Sequence, residues 1–163
     1  MSDLQNVRFI KQAAQVEDDP VKRMKLVITG LFSTLYIPFT LTQARIPMIP
    51  IVGETLQREL ETGERLYVEQ VIYKPSTNRY LLEDPDGLYR MYGYTQIKSG
   101  MNGVNSVSGW NIGTNTIEFK NGDKITYKLP RLIISGMIHG TRSQAFYNHS
   151  VFKDEANGIV CDL

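Results

Sequence analysis

The side chains best suited to chemistry are His139 and His149, an acidic series at Glu54, Glu59, Glu61, Glu64 and Glu69, and the lone cysteine Cys161. Two imidazoles could begin a zinc site, but such a site needs a third ligand, and none falls at a suitable spacing. Both histidines instead read as strand positions on either side of a turn at 140–143. The glutamates could supply paired carboxylates for acid/base work. Nothing in their spacing sets two of them around a cleft, and a solvated strand face accounts for all five. The chain has no Gly-x-Ser-x-Gly elbow and no glycine-rich loop between a strand and a helix. No catalytic residue, metal site or cofactor is assigned, and the chain reads as non-enzymatic.

Bulk properties narrow the remaining classes. With 163 residues, 42% hydrophobic and 21% charged, the chain has the composition of one folded domain with a sizeable core. Eighteen basic residues against 17 acidic ones leave a formal charge of +1, so no global field draws in nucleic acid. An anion site would have to be local. A single cysteine excludes an internal disulfide and fits a reducing compartment. Residues 1–9 lack an apolar run behind a basic cap, so no secretory signal is expected and the location is read as cytoplasmic; the sequon at Asn148 is then idle. No charge falls between Leu26 and Ala44, close to a membrane-spanning length. Thr29, Ser33, Thr34, Thr40, Thr42 and Gln43 are too polar, and Pro38 would interrupt a helix. The segment is read as a buried helix followed by a loop.

The elements that would position these residues change character along the chain. Asp18-Asp19-Pro20 is a helix start, because aspartate caps free amides and proline fits the first helical turn. Met24, Val27, Ile28, Leu31 and Leu35 then recur on one helical face. A weaker helix is expected over 4–16. Pro38, Pro47 and Pro50 mark an extended connection. From Gly53 onward, short β-branched and aromatic runs alternate with turn residues. Strands are expected over 66–73, 78–82, 89–98, 105–111, 116–119, 124–129, 132–138, 145–151 and 158–162. Asn121-Gly122 is the clearest hairpin turn. The fold class is mainly β: an antiparallel meander forming a partial barrel after one or two N-terminal helices, with 1–45 helical and looped and 46–163 the sheet of one domain. Nine tyrosines and Trp110 suit a sheet or the lining of an apolar pocket. The last strand reaches the final residue, so either the sheet closes on its own first strands or another chain covers the edge at 158–163.

Four stretches, in order, resemble the lipid-binding domain of oxysterol-binding-protein relatives. They are Asp19-Pro20-Val21-Lys22-Arg23-Met24; Ile46-Pro47-Met48-Ile49-Pro50-Ile51-Val52-Gly53-Glu54-Thr55, similar to the family's Lys-Pro-x-Asn-Pro-x-x-Gly-Glu; Glu69-Gln70-Val71-Ile72-Tyr73-Lys74-Pro75-Ser76, where the family has Glu-Gln-Val-Ser-His-His-Pro-Pro; and Gly93-Tyr94-Thr95-Gln96-Ile97-Lys98. The hairpin at Gly122-Asp123, Leu129-Pro130 and Gly136 also resemble the family pattern. The resemblance implies an antiparallel barrel around a tunnel for a sterol or another apolar lipid, with peripheral membrane contact and exchange for phosphatidylinositol 4-phosphate in many members.

Departures from that pattern change the expectation. The family's phosphate-binding lysine, asparagine and paired histidines are replaced by Ile46, Ile49, Tyr73 and Lys74. Isoleucine cannot donate to phosphate, so Lys74, Lys98 and Arg45 remain as the cations, with Tyr73, Thr95 and Gln96 as the other candidate lipid contacts. Weak phosphoinositide binding follows. The family's long C-terminal portion and its lid are not found here, which would leave a tunnel less able to enclose an apolar ligand. Two functions stay open: a lipid carrier with weakened head-group recognition, or a structural subunit of a larger assembly that keeps the sheet.

Overall fold

A computed structural model describes residues 6–35 and 50–163. Two helices, α1 (Val7–Ala14) and α2 (Pro20–Phe32), precede eleven strands. The strands are β1 (Thr55–Glu59), β2 (Arg65–Ile72), β3 (Thr77–Glu83), β4 (Tyr89–Met101), β5 (Ser106–Asn111), β6 (Asn115–Phe119), β7 (Lys124–Tyr127), β8 (Arg131–Ser135), β9 (Ser143–Tyr147), β10 (Val151–Asp154) and β11 (Ile159–Asp162).

The helices form where the sequence places their signals. The Asp19 carboxylate accepts from the Lys22 amide at 2.8 Å, and Pro20 occupies the first turn. Helix α1 buries Val7, Ile10 and Ala13 on one stripe. Helix α2 buries Met24, Val27 and Leu31. The two pack closely because Gly30 has no side chain: a Cβ there would stand 3.1 Å from the Cβ of Phe9. The Asn6 side-chain Nδ2 donates to Ser33 Oγ at 2.7 Å and clamps the ends of the pair.

All pairings are antiparallel. Leu66, Leu82, Met91, Ile117 and Ile125 lie directly opposite one another across β2, β3, β4, β6 and β7. Directly opposed residues share a face, and this row forms one core cluster with the buried sides of α1 and α2. Tyr127 and Phe152 extend the cluster to β10, their rings stacked at 5.6 Å. The helix pair therefore covers one face of the sheet.

The order β1-β2-β3-β4-β6-β7-β10-β11 is that of the expected antiparallel partial barrel, with a branch added at β4. Strand β4 is shared: Tyr89–Gly93 pairs with β6, whereas Ile97–Met101 pairs with β5, which leads on to β8 and β9. The sheet thus branches between Tyr94 and Gln96. The Asn111 side chain holds the fork, its Oδ1 accepting from the Gln96 amide at 2.9 Å and the Gly113 amide at 3.0 Å. The sheet is a partial barrel that does not close on itself, and among the described residues β1, β9 and β11 each pair with one strand only.

Other expectations need correction. Strand β1 was not foreseen, because all five of its residues are exposed and show no alternation. The run at 145–151 is two strands, broken where Asn148 takes a φ of 73°. Helix α2 ends at Phe32, short of Leu35. Neither histidine lies in a strand: His139 belongs to the β8–β9 loop, and His149, following β9, pairs through Nδ1 with Asp162 at 3.1 Å on the surface. The strand expected to run on to Ile138 ends at Ser135, where Gly136 turns with a φ of 74°.

Candidate functional site

Two of the four motif stretches are joined by backbone bonds at one end of the sheet, and a third lies one strand away, across β3. The Gly53 amide donates to the Gln70 carbonyl at 2.8 Å, and the Gln70 amide donates to the Glu54 carbonyl at 3.2 Å. Gly53 has a φ of 86°, a conformation suited to glycine, and Glu54 closes the turn by accepting from the Ile51 amide at 2.9 Å. The end of the second motif is thereby tied to the third. Gln70 is buried, and its side-chain nitrogen donates to Ile72 O at 2.9 Å and Ser76 Oγ at 3.1 Å, shaping the turn that presents Tyr73 and Lys74. Its other polar atom, Oε1, accepts no hydrogen bond from the described residues.

The fourth stretch lies alongside. Thr95 pairs with Asn78 and Gln96 with Thr77, at the start of the strand that leaves the Tyr73–Ser76 turn. Thr95 and Gln96 are half-buried, whereas Tyr73, Lys74 and Lys98 are exposed. The Lys74 ammonium stands 5.8 Å from the centre of the Tyr73 ring. Lys98 lies beyond the fork, opposite Trp110 on β5. The expected contacts Tyr73, Lys74, Thr95 and Gln96 thus share one end of the sheet, with Lys98 just past it. Arg45, Ile46 and Ile49 lie outside the described residues.

A groove of about 680 Å³ adjoins this end, lined chiefly by β1 to β4. Tyr67, Leu81 and Tyr92 form a cross-strand row there. They alternate with the core-facing Leu66, Leu82 and Met91, which puts the groove on the sheet face turned away from the helices. A second row, Thr55, Glu69, Arg79 and Tyr94, crosses the same four strands and takes one residue from each of these three motifs. The sequence showed the tyrosines but not the groove, because only strand register lines up Tyr67, Leu81 and Tyr92.

The first motif serves as scaffold. Arg23 is buried on α2 and donates to Val16 O at 3.0 Å and to Glu17 O at 3.1 Å. It also forms an ion pair with Asp123 in the β6–β7 hairpin. Hydrogen bonding from Arg23 holds the Asp123 carboxyl below the usual carboxylate range. Two motif regions a hundred residues apart are thereby joined in the core.

The acidic series also divides. Glu64 is buried rather than solvated, and accepts from the Tyr89 hydroxyl at 3.1 Å and from Thr62. Burial, with the Glu64 charge alongside, pushes the Tyr89 hydroxyl far above the ordinary phenol range. Glu54, Glu59, Glu61 and Glu69 are exposed. No group of three or more His, Cys, Asp or Glu positioned to hold a metal occurs among the described residues. Nor is any described helix long and apolar enough to cross a membrane.

A branched antiparallel sheet with a helix pair against one face, and with three of these motifs gathered at one end, defines a domain of the oxysterol-binding-protein type. The family profile described as "Oxysterol-binding protein" matches residues 1–163, and the chain belongs to that family. Oxysterol-binding protein 9 of Dictyostelium discoideum is 32% identical over 155 residues, which are 95% of this chain and 35% of that protein. The chain therefore spans about a third of the length of this curated relative. Among solved structures, the Osh1 ORD domain in complex with ergosterol superposes with a TM-score of 0.85 at 23% identity, covering 99% of this chain and 38% of that one. The Osh3 ORD of Saccharomyces cerevisiae in complex with PI(4)P gives 0.82 at 21% identity over 94% of this chain and 40% of that one. At these identities, the structural likeness establishes the fold.

Proposed function

We propose that this chain binds an apolar lipid of the sterol type without covalent chemistry, and that its recognition of phosphoinositide head groups is weak. The observation that carries this reading is the convergence of Gly53-Glu54, Gln70, the Tyr73–Ser76 turn and Thr95-Gln96 at one end of the sheet, beside the groove lined by Tyr67, Leu81, Tyr92 and Tyr94. A groove of about 680 Å³ falls within the range for small-ligand sites, where apolar walls supply affinity and a few polar groups set orientation. Family membership and the sterol complex of a structural neighbour support the same ligand class.

Weak head-group binding follows from the side chains. Lys74 and Lys98 are exposed, and a lysine ammonium in water acts as a hydrated point charge that gives no bidentate clamp. Native mass spectrometry of the purified chain, followed by lipid extraction, tests the reading. A stoichiometric sterol or phospholipid that is lost in Leu81→Arg is the expected result. A lipid-free chain, or tight and head-group-dependent capture on vesicles containing phosphatidylinositol 4-phosphate, overturns it.

One feature favours the alternative of a structural subunit. Among the described residues, strand β11 pairs only with β10, and Val160 on it is 65% exposed. A strand from another protein could extend the sheet there. A lipid-free chain that becomes soluble only with such a partner is the outcome for that alternative.

A further inference from the structure

The β5, β8 and β9 branch differs in charge from the rest of the chain. No Asp or Glu occurs from 87 to 117 or from 125 to 153, so the branch carries Lys98, Arg131 and Arg142 with no carboxylate. The chain as a whole is nearly neutral at +1, which leaves −2 for everything outside these three cations.

At the far end of this branch, two loops are built into one tip. Asn105, in the β4–β5 turn, accepts through Oδ1 from the amides of Ile138 at 2.8 Å and His139 at 3.2 Å. It also donates through Nδ2 to His139 O at 2.8 Å, and its carbonyl accepts from the Met137 amide at 3.2 Å. Ser106 and Ser135 join their hydroxyls at 3.0 Å beneath it. Gly136 closes the base of the β8–β9 loop so tightly that a Cβ would lie 2.4 Å from Thr141 O. This ordered backbone presents four apolar side chains to solvent: Met101 is 73% exposed, Val104 75%, Met137 48% and Ile138 69%.

A surface that spends its hydrogen bonds on holding apolar groups in water implies a partner that covers them. A second copy docked tip to tip would set the like charges of Lys98, Arg131 and Arg142 against their own images. An anionic bilayer accepts both features: the apolar side chains enter the boundary between head groups and acyl chains, and the cations remain at the phosphates.

We propose that the joined loops at 101–105 and 136–142 form a membrane-docking tip that inserts Met101, Val104, Met137 and Ile138 into an anionic lipid surface, with Lys98 and Arg142 flanking. The tip is separate from the Tyr67, Leu81 and Tyr92 groove, and its action does not depend on any lipid held there.

The test is flotation of the full chain with vesicles of phosphatidylcholine, with and without phosphatidylserine. The wild type should float with the anionic vesicles and be released by salt. The double variant Val104→Asp, Ile138→Asp should lower the partition coefficient by about tenfold or more, since it removes two apolar anchors and adds repulsion. Arg142→Glu, which leaves the apolar tip intact, should lower it severalfold. Unchanged near-ultraviolet circular dichroism, with Trp110 on the branch, confirms folding of each variant, and any co-purifying lipid should be retained by all of them. Equal flotation of the wild type and the double variant overturns the proposal, as does flotation indifferent to phosphatidylserine. A wild-type dimer that the double variant dissolves also overturns it, assigning the tip to self-association.

Discussion

Arg23 is the residue at which the two halves of the chain meet. Its guanidinium satisfies two carbonyls of the α1–α2 link and the Asp123 carboxylate, while the cation lies 5.1 Å from the centre of the Phe119 ring. Replacing it with alanine strands these acceptors in a largely dry site. Arg23→Ala should cost about 2–3 kcal/mol, measured as a fall in the urea midpoint at pH 7. The pair also sets an acid response. Because the Asp123 pKa is lowered in the folded state, its contribution is full above the ordinary aspartate value of about 3.9 and is lost as pH falls through the lowered native value. Urea midpoints taken between about pH 5 and pH 2 should therefore fall more steeply for the wild type than for Arg23→Ala. Equal slopes would mean that the ion pair contributes no linkage. In the sequence, Arg23 was legible as part of a family-like motif, but its partner was not, since nothing in the linear chain joins residue 23 to residue 123. Gln70 is a similar case: the motif marked it, but only the fold buries it beneath the Tyr73 turn.

At the scale of elements, the decisive feature is the fork in β4. The strand serves two neighbours because β5 peels away after Asn111 and the chain returns at Asn115 to pair with the other half. That return needs close backbone passage: a Cβ on Gly113 would fall 1.7 Å from Tyr94 O, and one on Gly93 would fall 2.8 Å from Thr114 O. Gly113→Ala should thus force the crossing apart and cost about 3 kcal/mol or more, read by chemical denaturation, with the β5–β8–β9 branch losing amide protection first. A variant as stable as the wild type would show that the crossing relaxes freely. Most strands and both helices were legible from alternation, turn residues and the Asp19-Pro20 cap. Strand β1 was not, because it is exposed throughout and carries no period-2 signal, and the branch was not, because adjacent strands in sequence pair by default unless a close glycine approach redirects them.

For the whole molecule, the helix pair and the sheet share one hydrophobic core. Val7, Ile10 and Ala13 of α1 share the core cluster with Leu82, Met91 and Ile117. Lys11 adds a tie to the β3–β4 turn, 3.0 Å from Asp86 and 3.4 Å from the buried Asp84. Removing residues 1–15 should therefore uncover the inner face of the sheet, giving strong binding of a hydrophobic dye and loss of the cooperative thermal transition. A truncated chain that melts cooperatively and binds no dye would show that the sheet stands alone.

Local chemistry in the sequence determined the class of this protein: the capped helix, the alternating strands, the Asn121-Gly122 hairpin and the order of the four motifs each depend on neighbours a few residues apart. The same local reading placed Tyr73, Lys74, Thr95 and Gln96 in motifs that the fold brings to one end of the sheet. Tertiary structure decided the rest. The Arg23–Asp123 pair, the Tyr67–Leu81–Tyr92 groove and the apolar tip joined by Asn105 all arise from strand register and from a fork at one shared strand. Such contacts depend on which distant backbones can approach, and a linear chain records that only faintly, in the positions of glycines such as Gly30, Gly113 and Gly136.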